Sequence, residues 1–174
     1  LAAALHGQGK QLFVTIPPPC DTTNACGGTN GYWVYGLPSI AAVADRVRIM
    51  AYDYHVNGAG AIAPIGWVTS IVQHAASVAP ASKIQIGVPT YGRSWTKKVN
   101  GSYQLSGDCP SVGSSDYNSI VAKASVSDAD IPGILAKNNV PPEAVQWDAA
   151  SGESVVEYDK AASWGGGRTC TVHR

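Results

Sequence analysis

The sequence predicts an α/β fold, and within that class part of a TIM (β/α)₈ barrel with a small α+β insertion. Three strand-like segments, residues 11–16, 47–52 and 83–88, recur 36 residues apart. Helix-like segments lie between them, which is the order of parallel strands joined by helical crossovers. In each strand one set of alternate positions is aliphatic and the other is polar or aromatic, as in a barrel strand between a helical layer and a filled interior.

The first unit of the chain is a helix followed by a strand. Residues 1–9 are helix-like and end at glycines, and the alternating segment 11–16 stops at three prolines. A loop rich in Cys, Asn and Gly follows, and a short apolar helix over residues 37–44 leads to the second strand. Because the chain opens on Leu1 in what resembles the middle of a helix, we expect it to be a processed or truncated piece.

A longer helix leads to the third strand. Pro64 is a favourable first helical residue, and the apolar residues after it recur at helical spacing, which predicts an amphipathic helix of about four turns. The strand over residues 83–88 follows at once and ends at Pro89. The apolar helix positions are Ile65, Val68, Ile71, Val72, Ala75 and Val78.

The chain changes character beyond Arg93, and we predict a barrel region over residues 1–95 and an α+β insertion over residues 96–174. Asn100-Gly101 predicts a hairpin turn. The same residues with Ser102 form a glycosylation sequon, but the turn explains them without modification. The rest of the insertion is predicted to hold helices near 117–124 and 128–138 and strands near 144–147 and 154–158.

The composition argues against several classes of partner. Twelve basic and twelve acidic residues cancel to a formal charge of zero, which removes the broad positive field that a nucleic-acid backbone or an anionic membrane requires. No segment approaches the apolar length of a membrane span. We therefore expect a ligand that is uncharged or recognised locally, with no nucleic acid, no membrane, no cofactor and no metal.

The four cysteines form one close pair and one distant pair without the C-x-x-C spacing of a zinc or redox site. Two disulfides are the simplest interpretation, and they indicate a secreted protein in an oxidising environment. Four free buried thiols are the alternative. The cysteines are Cys20, Cys26, Cys109 and Cys170.

Polar and aromatic residues follow two neighbouring strands. Tyr52 and Asp53 come where the second strand ends, and Tyr91, Arg93 and Trp95 come where the third ends. Barrel enzymes carry their active sites at this end of the strands. Aromatic faces stack on a sugar ring, while Asp and Arg bind its hydroxyl or amide groups. The sequence therefore predicts a sugar-binding site.

Several of these residues also have a purely structural explanation. Asp53 alone could be a turn residue, His55 a loop contact and Arg93 an ordinary ion-pair partner. Asp128 and Asp130 are interpreted as helix-start residues rather than as catalytic ones.

Two motifs in register resemble glycoside hydrolase family 18, the chitinase-like TIM barrels. They are M-A-Y-D at Met50–Asp53 and G-V-P-T-Y-G-R-S-W at Gly87–Trp95. In that family the M-x-Y-D pattern ends the sixth barrel strand and the G-x-P-x-Y-G-R pattern ends the seventh. P-I-G-W-V at Pro64–Val68 resembles the sixth helix of the spore-lysin and peptidoglycan-directed members. The resemblance implies barrel strands five to seven, followed by the insertion that many members carry before the last strand.

The resemblance also implies a mechanism. Members retain the anomeric configuration through substrate assistance, in which the N-acetyl carbonyl attacks the anomeric carbon and forms an oxazolinium ion. Tyr52 would hydrogen-bond the acetamido oxygen, and Asp53 would orient the sugar and acetamido groups. The implied substrate-binding residues are Met50 beneath the sugar and, around the neighbouring subsites, Tyr91, Arg93 and Trp95.

The chain departs from the family in one essential feature. The family's general acid is the Glu that closes a D-x-x-D-x-D-x-E motif on the fourth strand, and no such motif occurs in this sequence. General acid catalysis contributes about 10²–10⁴ in rate, so this chain alone is expected to be inactive without the missing N-terminal barrel half as its partner. The parent is predicted to be a secreted or cell-wall-associated hydrolase that cleaves β-1,4 linkages of N-acetylglucosamine in chitin or peptidoglycan. A non-catalytic, chitinase-like lectin is the alternative.

Overall fold

The computed structural model describes residues 1–19, 35–56, 59–98, 120–159 and 168–173. The chain divides into two compact units. Unit 1 comprises Leu1–Tyr52 and Ile65–Val88, and unit 2 comprises Asp53–Pro64 and Pro89–Arg174. None of the helices in the described ranges has the length and apolar character needed to cross a membrane.

Unit 1 is a parallel sheet whose strands alternate with helices along the chain. Over its described residues the sheet order is β1-β2-β3, and both pairings are parallel. This alternation confirms the predicted α/β class. The strands are β1 (Phe13–Ile16), β2 (Arg46–Ile49) and β3 (Ile84–Ile86), and the helices are α1 (Ala2–His6), α2 (Leu37–Val43) and α3 (Ile65–Val78).

The alternating pattern of the strands separates the two faces of this sheet. Ile16, Val47 and Ile49 are at most 1% exposed and lie in one apolar cluster with residues of α2 and α3. The alternate positions Arg48 and Gln85 are exposed, and the Arg48 Nε donates a 2.9 Å hydrogen bond to the Gln85 Oε1. The aliphatic positions therefore face the helices, as the alternation predicts. Closure of these strands into a barrel remains a prediction.

Unit 2 is an antiparallel sheet with a helix on one face. Over its described residues the strand order is β5-β4-β8-β7-β6. Helix α4 (Ile131–Lys137) packs through Ile131 and Leu135 against Val126 and Val156 of the sheet. The strands are β4 (Tyr91–Lys98), β5 (Ile120–Ser127), β6 (Gln146–Asp148), β7 (Glu153–Asp159) and β8 (Arg168–His173).

The structure corrects one prediction for this region. The segment 117–124, predicted to be helical, enters strand β5 at Ile120, because its backbone pairs with β4 over seven positions from Tyr91 to Lys97. This non-local pairing outweighs a local helical pattern. Strand β4 runs from Tyr91 to Lys98 within unit 2, and the division into a barrel region over residues 1–95 and an insertion over residues 96–174 stays a prediction.

Other predictions hold with shifted limits or lie outside the described residues. The predicted strand near 144–147 is observed at Gln146–Asp148, after a 3-10 turn at Pro142–Ala144, and the strand near 154–158 at Glu153–Asp159. Asp130 is the N-cap of α4, as expected of a helix-start residue, although its side chain makes no capping hydrogen bond. The predicted turn at Asn100-Gly101 lies outside the described residues. The disulfides remain a prediction, because the structure does not describe Cys20, Cys26, Cys109 or the side chain of Cys170.

Candidate functional site

One oxygen of the Asp53 carboxylate accepts three hydrogen bonds within unit 2. The Tyr91 hydroxyl donates to Oδ1 at 2.6 Å, and the Arg93 guanidinium donates to the same oxygen from Nε at 3.0 Å and from Nη2 at 2.7 Å. Tyr91 and Arg93 are two positions apart on β4, so their side chains leave the same face of the sheet. The structure thus brings together three of the predicted site residues.

The second oxygen of Asp53, Oδ2, has no hydrogen-bond partner within the described part of the chain. The Asp53 side chain is 34% exposed, whereas that of Arg93 is 13% exposed. An ionised carboxylate oxygen is purely an acceptor. The arrangement therefore fixes one oxygen against the protein and leaves the other able to accept a hydrogen bond from a ligand N–H or O–H group.

The backbone at Asp53 is in the left-handed region, with φ at 62°. Asp adopts this conformation more readily than most residues because its short polar side chain bonds locally. The position begins a loop in which the Tyr54 N–H donates to the Ile62 carbonyl at 2.9 Å and the His55 N–H donates to the Ala61 carbonyl at 3.3 Å. Asp53 is thus both a turn residue and the ion-pair partner of Arg93. These are the structural roles that the sequence allows for the two residues.

His55 lies inside this loop. Its Nδ1 is 3.1 Å from the Ala61 carbonyl oxygen, and its ring packs so closely on Gly60 that a Cβ at Gly60 would overlap the imidazole. The neighbouring Tyr54 ring contacts the His55 ring edge to face, with centroids 4.6 Å apart, and Tyr54 is 40% exposed. This placement gives His55 the role of a loop contact.

Tyr52 and Met50 follow strand β2 in unit 1. The Met50 N–H donates to the Ile16 carbonyl at 3.0 Å, and the Gly87 N–H donates to the Ile49 carbonyl at 2.8 Å. A Cβ at Gly87 would come within 3.0 Å of the Tyr52 ring and 3.1 Å of the Ile49 oxygen. A glycine at this position therefore leaves room for the Tyr52 ring. Both Tyr52 and Met50 are half-buried.

Trp95 is buried in unit 2, with 0% of its surface exposed. It lies on β4 two positions after Arg93 and on the same face of the sheet. Its indole is therefore part of the packing of unit 2, and a substrate-binding role for Trp95 stays a prediction.

Sequence reasoning missed Glu153, a buried carboxylate at the start of β7. The residue is 8% exposed. The Ile62 N–H donates to both of its oxygens at 2.9 and 3.0 Å, and the Ala63 N–H donates to one of them at 2.5 Å. These partners lie 90 and 91 positions away along the chain, so no local pattern could have indicated them. No group of three His, Cys, Asp or Glu able to hold a metal occurs among the residues that the structure describes.

Comparison with known proteins identifies a family and several relatives. The model of a family described as "Glycosyl hydrolases family 18" matches residues 1–165. The chain is 38% identical over 90 residues to the putative sporulation-specific glycosylase YdhD of Bacillus subtilis, which is 51% of the chain and 21% of that protein. It is 28% identical over 95 residues to the cortical fragment-lytic enzyme of the same organism, which is 52% of the chain and 21% of that protein. The matches thus span about a fifth of these curated relatives.

Solved structures share the fold over nearly the whole chain. A chitinase from Chromobacterium violaceum superposes with a TM-score of 0.70 at 21% identity, covering 98% of this chain and 45% of the chitinase. The structure of the putative sporulation-specific glycosylase ydhD from Bacillus subtilis gives a TM-score of 0.69 at 22% identity, covering 99% of this chain and 49% of that one. The spore cortex-lytic enzyme SleL of Bacillus megaterium gives a TM-score of 0.68 at 22% identity, covering 99% of this chain and 33% of the SleL chain. At such identities the likeness concerns the fold alone.

Proposed function

The chain belongs to glycoside hydrolase family 18, and from this membership we propose that it carries the acetamido-binding part of the active site of a glycoside hydrolase. The proposed substrate class is a β-1,4-linked glycan that contains N-acetylglucosamine. The observation that carries the proposal is the Asp53 carboxylate, of which Oδ1 is held by Tyr91 and Arg93 while Oδ2 accepts no hydrogen bond from the described residues.

A fixed carboxylate oxygen suits the N–H of a 2-acetamido group. In the substrate-assisted reaction the acetamido oxygen attacks the anomeric carbon while the glycosidic C–O bond breaks and the leaving oxygen takes a proton from the general acid. Positive charge develops on the amide nitrogen as the oxazolinium ion forms. The Asp53 Oδ2 would accept a hydrogen bond from that N–H and stabilise the developing charge. Because Oδ1 is already held by three donor atoms, the carboxylate needs little reorganisation during the reaction, which is the source of electrostatic catalysis.

We propose that Tyr52 donates a hydrogen bond to the acetamido oxygen. Its support is the M-x-Y-D motif, which places the phenol directly before Asp53 in the chain, together with the space that Gly87 leaves for its ring. Met50 precedes it by two positions and would pack beneath the sugar. The general-acid role is assigned to none of the described residues, and we propose that another part of the enzyme supplies it.

The relatives indicate which glycans to test. One curated relative is described as a cortical fragment-lytic enzyme, and one structural neighbour is described as a chitinase. Peptidoglycan and chitin both contain N-acetylglucosamine, so the same acetamido group would be recognised in either. We propose that the protein acts outside the cytoplasm on one of these polymers, as a secreted or cell-wall-associated enzyme.

The test is hydrolysis of chitin oligomers and of peptidoglycan glycan strands by the full-length protein. We expect cleavage with retention of the anomeric configuration, observed by NMR of the first-formed product, and we expect Asp53→Ala to abolish it. Binding without cleavage would favour the lectin alternative. Absence of both binding and cleavage on every N-acetylglucosamine glycan would reject the proposal.

A further inference from the structure

We propose that Glu153 is a positioning residue that holds the Asp53 loop, residues 53–56 and 59–64, in its ligand-binding conformation. This inference rests on the proposed function of Asp53. The Glu153 carboxylate accepts hydrogen bonds from two successive backbone amides of the loop, those of Ile62 and Ala63. Nothing in the family motifs of this sequence includes Glu153, and none of the hydrogen bonds described for Glu153 is to Asp53.

Both ends of the loop are held by the same face of the five-stranded sheet of unit 2. Arg93 of β4 and Val155 of β7 are both paired with His173 of β8, so they form one cross-strand row and share a face. Glu153 lies two positions before Val155 and therefore shares that face too. Arg93 binds the start of the loop at Asp53, and Glu153 binds its end at Ile62 and Ala63.

A short chain of hydrogen bonds connects Glu153 to the backbone of Asp53. The Ile62 N–H donates to Glu153, and the Ile62 carbonyl accepts the N–H of Tyr54, the residue that follows Asp53. Fixing Ile62 therefore fixes Tyr54, which in turn limits the backbone at Asp53. This restraint matters because Asp53 has a left-handed backbone conformation that most residues populate sparsely.

The geometry favours a carboxylate over a neutral amide. Because the Ile62 N–H lies within 2.9 and 3.0 Å of the two Glu153 oxygens, both atoms must be acceptors. A glutamine would place an NH₂ group against the Ile62 N–H, so that one acceptor would become a competing donor. Ile62 is 1% exposed, and water cannot readily replace the lost partner. We therefore expect the loop to shift when Glu153 is changed.

The experiment measures loop order and ligand binding separately in the full chain. Backbone hydrogen exchange of Tyr54 and Ile62, followed by NMR, reports the loop, and calorimetric titration with chitotetraose reports the site. The variants are Glu153→Gln and Glu153→Ala. The matched control is Glu157→Gln, which changes an exposed glutamate four positions later on the same strand and the same face.

For Glu153→Gln we expect faster exchange at Tyr54 and Ile62 and about ten-fold weaker binding of chitotetraose, a loss typical of residues that orient a site. Glu153→Ala should have the larger effect of the two, and Glu157→Gln should match the wild type in both measurements. If Glu153→Ala does not fold, Glu153→Gln still decides the question.

Two results would overturn the inference. One is wild-type exchange at Tyr54 and Ile62 in Glu153→Gln. The other is faster exchange with unchanged chitotetraose affinity, which would leave Glu153 with a role in stability alone. If the wild-type protein binds no N-acetylglucosamine oligomer, the proposed function fails instead, while the exchange rates still decide whether Glu153 holds the loop.

Discussion

Arg93 donates two hydrogen bonds to one and the same oxygen of Asp53, at 3.0 Å from Nε and 2.7 Å from Nη2. A guanidinium more often grips both oxygens of a carboxylate, one with each nitrogen. Here the two donors converge on Oδ1 with the Tyr91 hydroxyl. The carboxylate is therefore held in one orientation through Oδ1, while Oδ2 accepts no hydrogen bond from the described residues. This availability of Oδ2 underlies its proposed role as an acceptor for a ligand.

Arg93→Lys should separate the orientation of the Asp53 carboxylate from the effect of the positive charge beside it. A lysine ammonium is a single point and cannot reproduce two donors in a fixed plane. We expect the free energy of unfolding to fall by about 1–2 kcal/mol and chitotetraose to bind about ten-fold more weakly. Urea unfolding and calorimetry measure the two effects.

Arg48→Lys is the matched control for Arg93→Lys. Arg48 is exposed in unit 1, and the hydrogen bond that it donates to Gln85 needs only a single donor. Its effect on the free energy of unfolding should stay within about 0.5 kcal/mol. Equal chitotetraose affinities for Arg93→Lys and the wild type would show that the planar guanidinium does not orient Asp53 for binding.

Gly87→Ala should disturb Tyr52 through direct contact. The new methyl group would lie within 3.0 Å of the Tyr52 ring and 3.1 Å of the Ile49 oxygen, so one of them must move. We expect a loss of about 1–3 kcal/mol in the free energy of unfolding, as for other overpacked sites, together with weaker chitotetraose binding.

Gly66→Ala provides the control in the same unit. Gly66 lies in the first turn of α3, and a Cβ there would meet nothing within 4 Å. Replacing a helical glycine with alanine should raise the free energy of unfolding by about 0.5–1 kcal/mol. If Gly87→Ala proves as stable as the wild type and binds chitotetraose equally well, Tyr52 has room that the structure does not show.

Asp45 should make the stability of unit 1 depend on pH. A hydrogen bond from the Leu12 N–H at 2.7 Å, followed by one with His6 at 2.9 Å, lowers the pKa of the Asp45 carboxyl below its ordinary value. A lowered folded-state pKa contributes stability above the ordinary pKa of about 3.9, and this contribution is lost as the pH falls through the lower folded-state value.

The comparison for Asp45 is urea unfolding of the wild type and Asp45→Asn. The wild type should have the higher unfolding midpoint at pH 6, and the difference between the two proteins should shrink as the pH is lowered toward about 3. A difference of constant size over this range would mean that the Asp45 charge does not contribute.

Much of unit 1 was predictable because its signals are local. Alternation in β2 marked Val47 and Ile49 as buried, and helical spacing marked Ile71 and Ala75. Each of these patterns arises because one face of a strand or helix is buried, and the spacing of apolar residues in the sequence shows which face that is.

Unit 2 was less predictable because its contacts are distant in sequence. The strand from Ile120 to Ser127 is stabilised by pairing with β4, and a helical pattern near 117–124 hid it. Asp53, Tyr91 and Arg93 could be grouped because each follows a predicted strand. Glu153 could not be grouped with them, since its partners lie 90 and 91 positions away.

The central claim is that the Asp53 Oδ2 accepts a hydrogen bond from an acetamido N–H. The most direct measurement is the ratio of the dissociation constants for chitotetraose and for cellotetraose, which lacks the acetamido groups, in the wild type and in Asp53→Asn. With the asparagine Oδ1 in the position that faces Tyr91 and Arg93, its NH₂ group takes the place of Oδ2 and cannot accept a hydrogen bond. We expect at least about ten-fold preference for chitotetraose in the wild type and loss of most of that preference in Asp53→Asn. An undiminished preference in Asp53→Asn would contradict the claim.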